Sequence, residues 1–228
     1  MQERWCFFEA GCAEPAQNMA WDEILLQTAP DRARPVVRFY GWTHAAATFG
    51  YFQKYAEIER MTELRPLIRR PTGGGLVGHA ADWTYSLVFP PLHPWYLLTA
   101  LESYQRVHEW IQAAFRSLGL PTVLSPVSRK ETPGQCFAGA ERFDLICEER
   151  KIAGAAQRRS RRGLLIQGSL QPVPAGISRT DWERAFCKEA ELRHDVQWME
   201  FEEELDLKER VKLLAGEKYS RDSYNQKR

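Results

Sequence analysis

The amino-acid sequence predicts an α+β protein in which helices pack on a mixed sheet. Predicted strands and helices follow one another without a strict βαβ order, which argues against a purely parallel sheet. No internal repeat or low-complexity segment interrupts that order. The 228 residues, 44% of them hydrophobic and 27% charged, suffice for one large domain or for a domain with a small appendage.

The first elements are a helix and two strands. Residues 18–27 predict a helix, because their apolar side chains share one face and Asn18 lies near the start. Residues 36–40 predict a strand that is bounded by a proline and a glycine. Residues 83–89 are aromatic and β-branched and end at a double proline, which predicts a second strand.

The C-terminal half combines one strong helix with weaker signals. Apolar residues at spacings of three and four predict a helix over 97–118, which Gly119 ends. Strands are predicted at 142–147, from Lys151 after a turn, and at 163–170. Thr180 and Glu183 have the spacing of a helix capping box, and 201–214 is predicted to be a further helix.

A run of three glycines between two predicted strands is the first candidate binding site. Glycine lets the backbone approach a ligand closely, and flanking arginine and histidine can bind anionic or polar groups. The candidate residues of this glycine loop are Arg70, Thr72, Gly73, Gly74, Gly75 and His79.

The same letters also fit the dinucleotide pattern G-x-G-x-x-G, which ends at Gly78. That pattern requires a helix to follow, whereas a strand is predicted here. No Gly-Lys-Ser/Thr follows either, so a P-loop is not indicated. A hairpin without a binding role remains the simpler alternative for the loop.

The second candidate site combines Cys136 with Lys151. Cys136 follows Pro133 and Gly134 in a predicted loop, where a nearby cation would make its thiol nucleophilic. Lys151 opens the returning strand of a predicted hairpin close to that loop, and small residues follow it. Those small residues leave room for an acyl chain or a bound backbone. A single loop cysteine is more often a bystander, so the residues alone leave both interpretations open.

Composition excludes several classes of function. A net charge of +1 does not favour nucleic acid or a membrane as partner. The sequence contains no apolar run of transmembrane length and no signal-peptide pattern, so we expect a cytoplasmic protein. The five cysteines lack C-x-x-C spacing and the five histidines lack metal-ligand spacing. We therefore expect neither a disulfide scaffold, nor a metal site, nor a cofactor.

Taken together, the motifs resemble the biotin/lipoate protein ligase and transferase superfamily. The matching segments run in order from about residue 18 to 170. They are Asn18-Met19-Ala20 with Asp22-Glu23, Arg38-Phe39-Tyr40 with Trp42, Phe49-Gly50-Tyr51-Phe52-Gln53, Arg70-Pro71-Thr72-Gly73-Gly74-Gly75 with His79, Lys151-Ile152-Ala153-Gly154-Ala155-Ala156-Gln157, and Gln167-Gly168-Ser169-Leu170. The resemblance implies a largely antiparallel mixed sheet in one catalytic domain over residues 1–228, with a helical C-terminal segment from about 180.

Within the superfamily, Cys136-Phe137 is similar to the cysteine-dependent octanoyltransferases of the Gram-positive type. The ATP-dependent lipoate ligases look like Gly-Arg/Lys-Asn-Asp-Leu at this place, and the chain is short for a ligase with a full accessory domain. The resemblance implies octanoyl transfer from octanoyl-acyl carrier protein to a lysine. That lysine would belong to a lipoyl domain of a 2-oxoacid dehydrogenase or to the glycine-cleavage H protein. Two alternatives stay open: an ATP-dependent lipoate or biotin ligase that forms an acyl-adenylate, and a non-catalytic module that binds acyl groups or lipoyl domains.

The resemblance also implies roles for individual residues. Cys136 would be the nucleophile, and Lys151 would act as a base or as a cation that holds the oxyanion. The glycine loop and His79 would form one wall of the acyl pocket. The full set of implied substrate-binding residues is Arg70, Thr72, Gly73, Gly74, Gly75, His79, Gly154, Ala155, Gln157 and Gly168. His79 lacks the acidic residue that often follows it directly, which puts an adjacent carboxylate in doubt.

A basic cluster follows the lysine motif. Its members are Arg158, Arg159, Arg161 and Arg162. It predicts either a solvated loop or a docking surface for acidic partners, as the carrier protein and lipoyl domains are expected to be. Nucleic acid fits less well, because no aromatic residues alternate with these arginines. We expect a monomer, and the sequence does not fix the length of the acyl chain.

Overall fold

The computed structural model describes residues 2–130, 134, 136–137 and 139–228, with backbone only at 129 and 130. Its strands are β1 (Glu3–Ala13), β2 (Val36–Trp42), β3 (Ala46–Phe49), β4 (Leu67–Arg69), β5 (Val77–His79), β6 (Trp83–Phe89), β7 (Val123–Leu124), β8 (Arg129–Lys130), β9 (Gly139–Ala140), β10 (Leu145–Cys147), β11 (Arg150–Ser160), β12 (Gly163–Leu170) and β13 (Val196–Glu200). Its helices are α1 (Pro15–Arg32), α2 (Tyr55–Ile58), α3 (Pro94–Leu97), α4 (Ala100–Ser117), α5 (Arg179–His194), α6 (Leu205–Leu214) and α7 (Asp222–Asn225), with a π-helical turn (Ala215–Tyr219) between the last two.

A mixed sheet of eight strands forms the centre of the fold. The strand order is β13-β1-β2-β6-β12-β11-β10-β7. β1 pairs in parallel with β2 and β13, and the other neighbours pair antiparallel. The α+β fold with a largely antiparallel mixed sheet is therefore confirmed.

Helices cover both faces of this sheet, and each face has its own apolar core. One core contains side chains of α4 and α5, where the rings of Trp110 and Phe186 stack at 3.9 Å. The opposite core contains side chains of α1 and α6, with Met19 and Leu25 fully or almost fully buried. Each large apolar side chain buried in this way contributes roughly 1.5–3 kcal/mol to stability.

A small second sheet, in the order β4-β3-β5, carries the glycine loop. β4 ends at Arg69, the glycines follow, and β5 begins at Val77. The predicted strand–loop–strand arrangement is confirmed, so no helix follows the glycines as a dinucleotide fold would require.

Several predicted boundaries differ from the structure. The strong helix is confirmed as α4, which begins one residue after Thr99, and Gly119 follows it with φ +80°. The capping box predicted at Thr180 is wrong: the helix starts earlier, and Ser178 accepts the hydrogen bond from Asp181 N. The last long helix begins at 205 rather than at 201.

Strands β1 and β13 were not predicted, although they pair in register from Glu3 to Val196 onward. Both strands carry charged residues that obscure the apolar alternation, and β13 separates two C-terminal helices. Across the described part of the chain, no helix is both long and apolar enough to cross a membrane.

Candidate active site

Cys136 and Lys151 lie next to each other, as the sequence predicts. The Nζ atom of Lys151 is 3.7 Å from Cys136 Sγ and donates a hydrogen bond to the backbone oxygen of the same residue at 2.6 Å. Lys151 is 9% exposed and Cys136 is half-buried. The Cys136 segment is held in turn by a backbone hydrogen bond from Cys136 N to Leu76 O at 3.0 Å. The thiol therefore has the nearby cation that nucleophilic activation requires. Pro133, part of the predicted loop, lies outside the described residues.

Asp144 completes this group, and the sequence analysis assigned it no role. Its Oδ2 atom lies 2.8 Å from Lys151 Nζ, and both side chains are almost fully buried. The same oxygen accepts from Glu141 N at 2.5 Å, and the other carboxylate oxygen accepts from the Tyr104 hydroxyl. Burial, followed by the charge of Asp144, raises the pKa of Tyr104 well above its ordinary value. Asp144 thus neutralises and orients the lysine ammonium.

The β10–β11 hairpin explains why these groups meet. Asp144 directly precedes β10, and Lys151 is paired with Ile146 on the opposite strand. An aspartate just before the first strand of a short hairpin and a lysine near the start of its second strand are the sequence signal that could have identified the pair. Gly154 makes room for it, because a Cβ atom there would lie 2.7 Å from Lys151 Cε and 2.8 Å from Nζ.

Cys136 opens into a small inner cavity of about 30 Å³. Five of the other predicted site residues line it as well: Arg70, His79, Gly154, Ala155 and Gly168. The remaining lining residues include Met19, Tyr40, Trp42, Thr48, Val77, Thr84, Ala156, Gln167 and Ser169. Gly168 borders the ring of Tyr85, since a Cβ atom at this glycine would lie 2.0 Å from Tyr85 Cζ.

A much larger groove, of about 850 Å³, lies on the other side of Lys151. Its walls include Ala80, Phe137, Ile146 and Val173. Lys151 lines this groove, and Cys136 lines the inner cavity. The Cys–Lys pair therefore sits between the small inner cavity and the larger groove.

The glycines of the loop do not line the cavity, in contrast to the expectation of a pocket wall. The carbonyl oxygens of Gly73 and Gly75 instead accept hydrogen bonds from the Arg70 guanidinium, at 2.5 and 2.7 Å. Arg70 also donates to Thr48 O at 3.2 Å. Burial lowers the pKa of Arg70 to about 10, against the opposing charges of Cys136 and Tyr40. Gly74 has φ +84°, and its carbonyl oxygen would lie 2.0 Å from a Cβ atom at Gly50, so the loop needs glycine at both positions.

His79 has a carboxylate partner, although none follows it directly in sequence. Its Nδ1 atom lies 2.8 Å from Asp82 Oδ2, three residues along the chain, and its Nε2 atom lies 2.9 Å from Thr48 Oγ1. The imidazole stacks on the Trp42 ring at 3.9 Å. Burial acts to raise the pKa of Asp82, but His79 and the hydroxyl of Ser169 outweigh it, so the net shift is downward. The doubt about an adjacent carboxylate is thus corrected: Asp82 supplies it through the turn before β6.

Thr72 and Gln157 lie apart from the reacting pair. Thr72 is fully buried and donates to Gln167 Oε1 at 2.7 Å, and Gln167 in turn donates to Asp22 at 2.7 Å. Gln157 does not line the cavity, because its side chain donates to Ala100 O at 2.7 Å on helix α4. The buried Asp22, which no site prediction named, connects this network to Arg38 at 2.9 Å.

The four arginines after the lysine motif do not form one surface. Arg158 and Arg159 lie within β11, and Arg161 and Arg162 are exposed at its end. Arg159 turns toward α3 and α4 and donates to Tyr96 O at 2.6 Å and to Ser103 Oγ at 2.8 Å. Because Arg159 makes these contacts, it is not available to a docking surface shared by the four arginines.

The other cysteines and the histidines show no comparable arrangement. Burial raises the pKa of the Cys6 thiol and of the Cys147 thiol, and it raises the pKa of Cys187 to about 12. His108 is fully buried in α4 and donates from Nδ1 to Tyr104 O at 2.8 Å. Within the described ranges, no group of three or more His, Cys, Asp or Glu side chains has the arrangement of a metal site.

Comparison with known proteins places the chain in a family. Residues 14–172 match the lipoyl protein ligase A/B catalytic domain. Octanoyltransferase LipM of Bacillus subtilis (strain 168) is 37% identical over 182 residues, which cover 74% of this chain and 66% of that protein. Octanoyltransferase LipM of Staphylococcus aureus (strain NCTC 8325 / PS 47) is 36% identical over 183 residues, which cover 75% and 66%. The match thus spans just under two thirds of the length of these relatives.

Solved structures agree at the level of the fold. A bi-partite lipoate protein ligase from Thermoplasma acidophilum superimposes with a TM-score of 0.77 at 19% identity, covering 99% of this chain and 97% of that one. A lipoate-protein ligase A bound with ATP gives a TM-score of 0.78 at 20% identity, covering 99% of both chains. The chain belongs to the lipoyl protein ligase A/B catalytic domain family.

Proposed function

We propose that this chain is an octanoyltransferase of protein lipoylation that works through a thioester on Cys136. The donor is octanoyl-acyl carrier protein, and the acceptor is a lysine of a lipoyl domain or of the glycine-cleavage H protein. One observation carries the proposal: Lys151 Nζ lies 3.7 Å from Cys136 Sγ, between the small inner cavity and the larger groove. The LipM relatives, which are named octanoyltransferases, support the same reaction.

In the first step, the Cys136 thiolate attacks the carbonyl carbon of the donor thioester. A new carbon–sulfur bond forms to Cys136, the donor's carbon–sulfur bond breaks, and the carrier thiol leaves with the proton that Cys136 gave up. Exchange of one thioester for another needs little driving force. The Lys151 ammonium faces the thiolate and the oxyanion of the tetrahedral intermediate, which it stabilises by charge.

In the second step, the neutral amine of the acceptor lysine attacks the acyl-enzyme. A carbon–nitrogen bond forms, the bond to Cys136 Sγ breaks, and the thiolate returns while the amine proton passes to solvent. The ion pair with Asp144 at 2.8 Å supports the interpretation of Lys151 as a fixed cation rather than as a base.

The acyl chain requires the inner cavity to widen. Burying about seven methylenes would yield roughly 6 kcal/mol of gross transfer free energy. A cavity of about 30 Å³ holds on the order of one water molecule. Octanoyl binding must therefore displace movable side chains of the lining, among which Met19 is unbranched and the most adaptable.

Intact-mass measurement tests the proposal. The wild-type protein mixed with octanoyl-acyl carrier protein should gain the mass of one octanoyl group without ATP, and Cys136→Ala should gain none. Cys147→Ala is the matched control and should react like wild type, since burial raises the pKa of that thiol. Full transfer activity in Cys136→Ala would overturn the thioester mechanism. Acylation that requires free octanoate and ATP would instead establish a ligase, and binding without any adduct would establish a non-catalytic module.

A further inference from the structure

A cationic and aromatic surface lies beside the glycine loop and takes no part in the chemistry above. It consists of Tyr51, Phe52, Arg158, Lys227 and Arg228, and we call it the Tyr51 surface. The cationic groups of Lys227, Arg228 and Arg158 lie 4.2, 5.2 and 6.0 Å from the centre of the Tyr51 ring. Phe52 is 74% exposed and completes the surface with an apolar ring.

The positive charge of this surface is not balanced locally. In the part of the chain that the structure describes, none of its three cations lies within 4.0 Å of an Asp or Glu carboxylate. A hydrogen bond with Lys227, then its charge and those of Arg228 and Arg158, lower the pKa of the Tyr51 phenol. Exposed arginine and aromatic side chains grouped in this way are typical of the centres of protein interfaces.

Hydrogen bonds connect the Tyr51 surface and the adjoining Gln53 to the segments that flank the reacting pair. Tyr51 N donates to Thr72 O at 2.9 Å, and Arg158 donates to Pro71 O at 3.4 Å. Gln53 donates to Gly134 O at 2.9 Å, two residues before Cys136. Strand β11 carries both Lys151 and Arg158. At about 3.3 Å per residue, their separation along the strand is on the order of 20 Å.

We propose that the Tyr51 surface docks an acidic face of the carrier protein that donates the octanoyl group. This inference rests on the proposed function. The separation from Lys151 suits a donor whose acyl group travels on a long flexible arm. An acceptor must instead bring its lysine, on a short side chain, to Cys136 itself.

The test compares two octanoyl donors of the same thioester chemistry: octanoyl-acyl carrier protein and octanoyl-pantetheine. A double variant, Lys227→Glu with Arg228→Glu, and a triple variant that adds Arg158→Glu are assayed for octanoylation of Cys136 by intact mass. With the carrier protein, the second-order rate of the triple variant should fall about tenfold or more, and its salt dependence should flatten. With octanoyl-pantetheine, both variants should react at the wild-type rate.

A control variant carries the same change of net charge elsewhere. Arg4→Glu, Arg116→Glu and Lys212→Glu alter three exposed cations outside the surface and should leave both donors unaffected. An equal loss in this control, or an equal loss with octanoyl-pantetheine, would overturn the docking proposal. Normal acylation of Cys136 with slower delivery to a lipoyl domain would also overturn it, because the surface would then serve the acceptor.

A binding measurement distinguishes failure of the docking proposal from failure of the proposed function. If neither donor acylates wild-type Cys136, the proposed function fails. Calorimetric affinity for octanoyl-acyl carrier protein at low salt still decides the docking. It should weaken about tenfold in the triple variant, and equal affinity in the wild type and triple variant would overturn the inference.

Discussion

The two sides of the inner cavity differ in what their polar groups bind. On one side, the Arg70–His79 wall, both side chains have neighbouring polar partners: backbone carbonyls and the Thr72 hydroxyl for Arg70, and Asp82 and Thr48 for His79. On the other side, the Cys136–Lys151 wall, a half-buried thiol faces the cavity and a single carboxylate holds the lysine. The polar groups of the first wall stabilise the structure, whereas the second wall presents a thiol and a cation to the cavity. Substitutions in the first wall should therefore reduce stability, and substitutions in the second should reduce rate.

The largest expected effect is that of Lys151→Met in the second wall. Loss of the fixed ammonium should lower the rate of Cys136 octanoylation by about 10³-fold. The melting temperature should not fall by a comparable amount, because methionine fills much of the same volume. Stopped acylation assays and thermal denaturation measure the two quantities, with the exposed Lys212→Met as control. A wild-type rate of acylation in Lys151→Met would contradict the role given to the second wall.

Asp82→Ala should show the opposite pattern. The Oδ2 atom of Asp82 accepts from His79, from Thr84 at 3.0 Å and from Ser169 at 2.7 Å, and all are buried. Leaving these donors without an acceptor should cost about 3 kcal/mol or more in the free energy of unfolding. Urea denaturation measures this cost, and the exposed Asp206→Ala serves as control. Loss of acylation in a fully stable Asp82→Ala would show that the first wall takes part in the reaction.

His108, which packs behind the Cys136–Lys151 wall, should make the stability of the protein depend on pH. His108 packs on Tyr104 at 4.3 Å between ring centres, and burial lowers its pKa from the ordinary 6.5 to about 4. The unfolded chain therefore binds the His108 proton more readily than the folded protein does. The stability that neutral His108 provides is fully present above pH 6.5 and is lost as the pH falls toward 4. Between these two pH values the free energy of unfolding should fall by roughly 3 kcal/mol.

His108→Phe should remove that slope. Denaturation of both proteins across this pH range should show the wild type losing roughly 3 kcal/mol relative to the variant between pH 6.5 and 4. Parallel curves for the two proteins would mean that His108 is not the titrating group.

The smallest expected effect is that of Gly154→Ala, which tests how closely the position of Lys151 is fixed in the second wall. A methyl group in Gly154→Ala would lie 2.8 Å from Lys151 Nζ and should displace the ammonium from Cys136. We expect acylation to slow by about tenfold with little change in stability. Gly216→Ala is the control, since its added Cβ atom meets nothing within 4 Å. An unchanged rate would show that Lys151 tolerates other positions.

The position of the glycine loop and the proximity of Lys151 to Cys136 could be predicted because both depend on local signals, whereas the choice of Cys136 as nucleophile came from the family resemblance. A run of glycines, a loop cysteine and a hairpin lysine can each be recognised within a few residues. Asp144 was not predicted, although it lies only seven residues before Lys151 on the same hairpin. Tyr104 was not predicted, because its hydrogen bond to Asp144 depends on how α4 packs against that hairpin. The partner of His79 was also missed, since Asp82 reaches it only through the turn before β6. Arg159 illustrates the same limit, as its sequence position cannot reveal that it turns toward α3 and α4.

The hydrogen bond from Lys151 Nζ to the backbone oxygen of Cys136 has a consequence for the timing of the reaction. The lysine is anchored at 2.6 Å to an atom that no covalent change at sulfur removes. In the proposed acyl-enzyme, the ammonium would keep both this anchor and Asp144. The resting enzyme and the acyl-enzyme would thus present the same positive charge at the same place, and the site need not be rebuilt between loading and delivery.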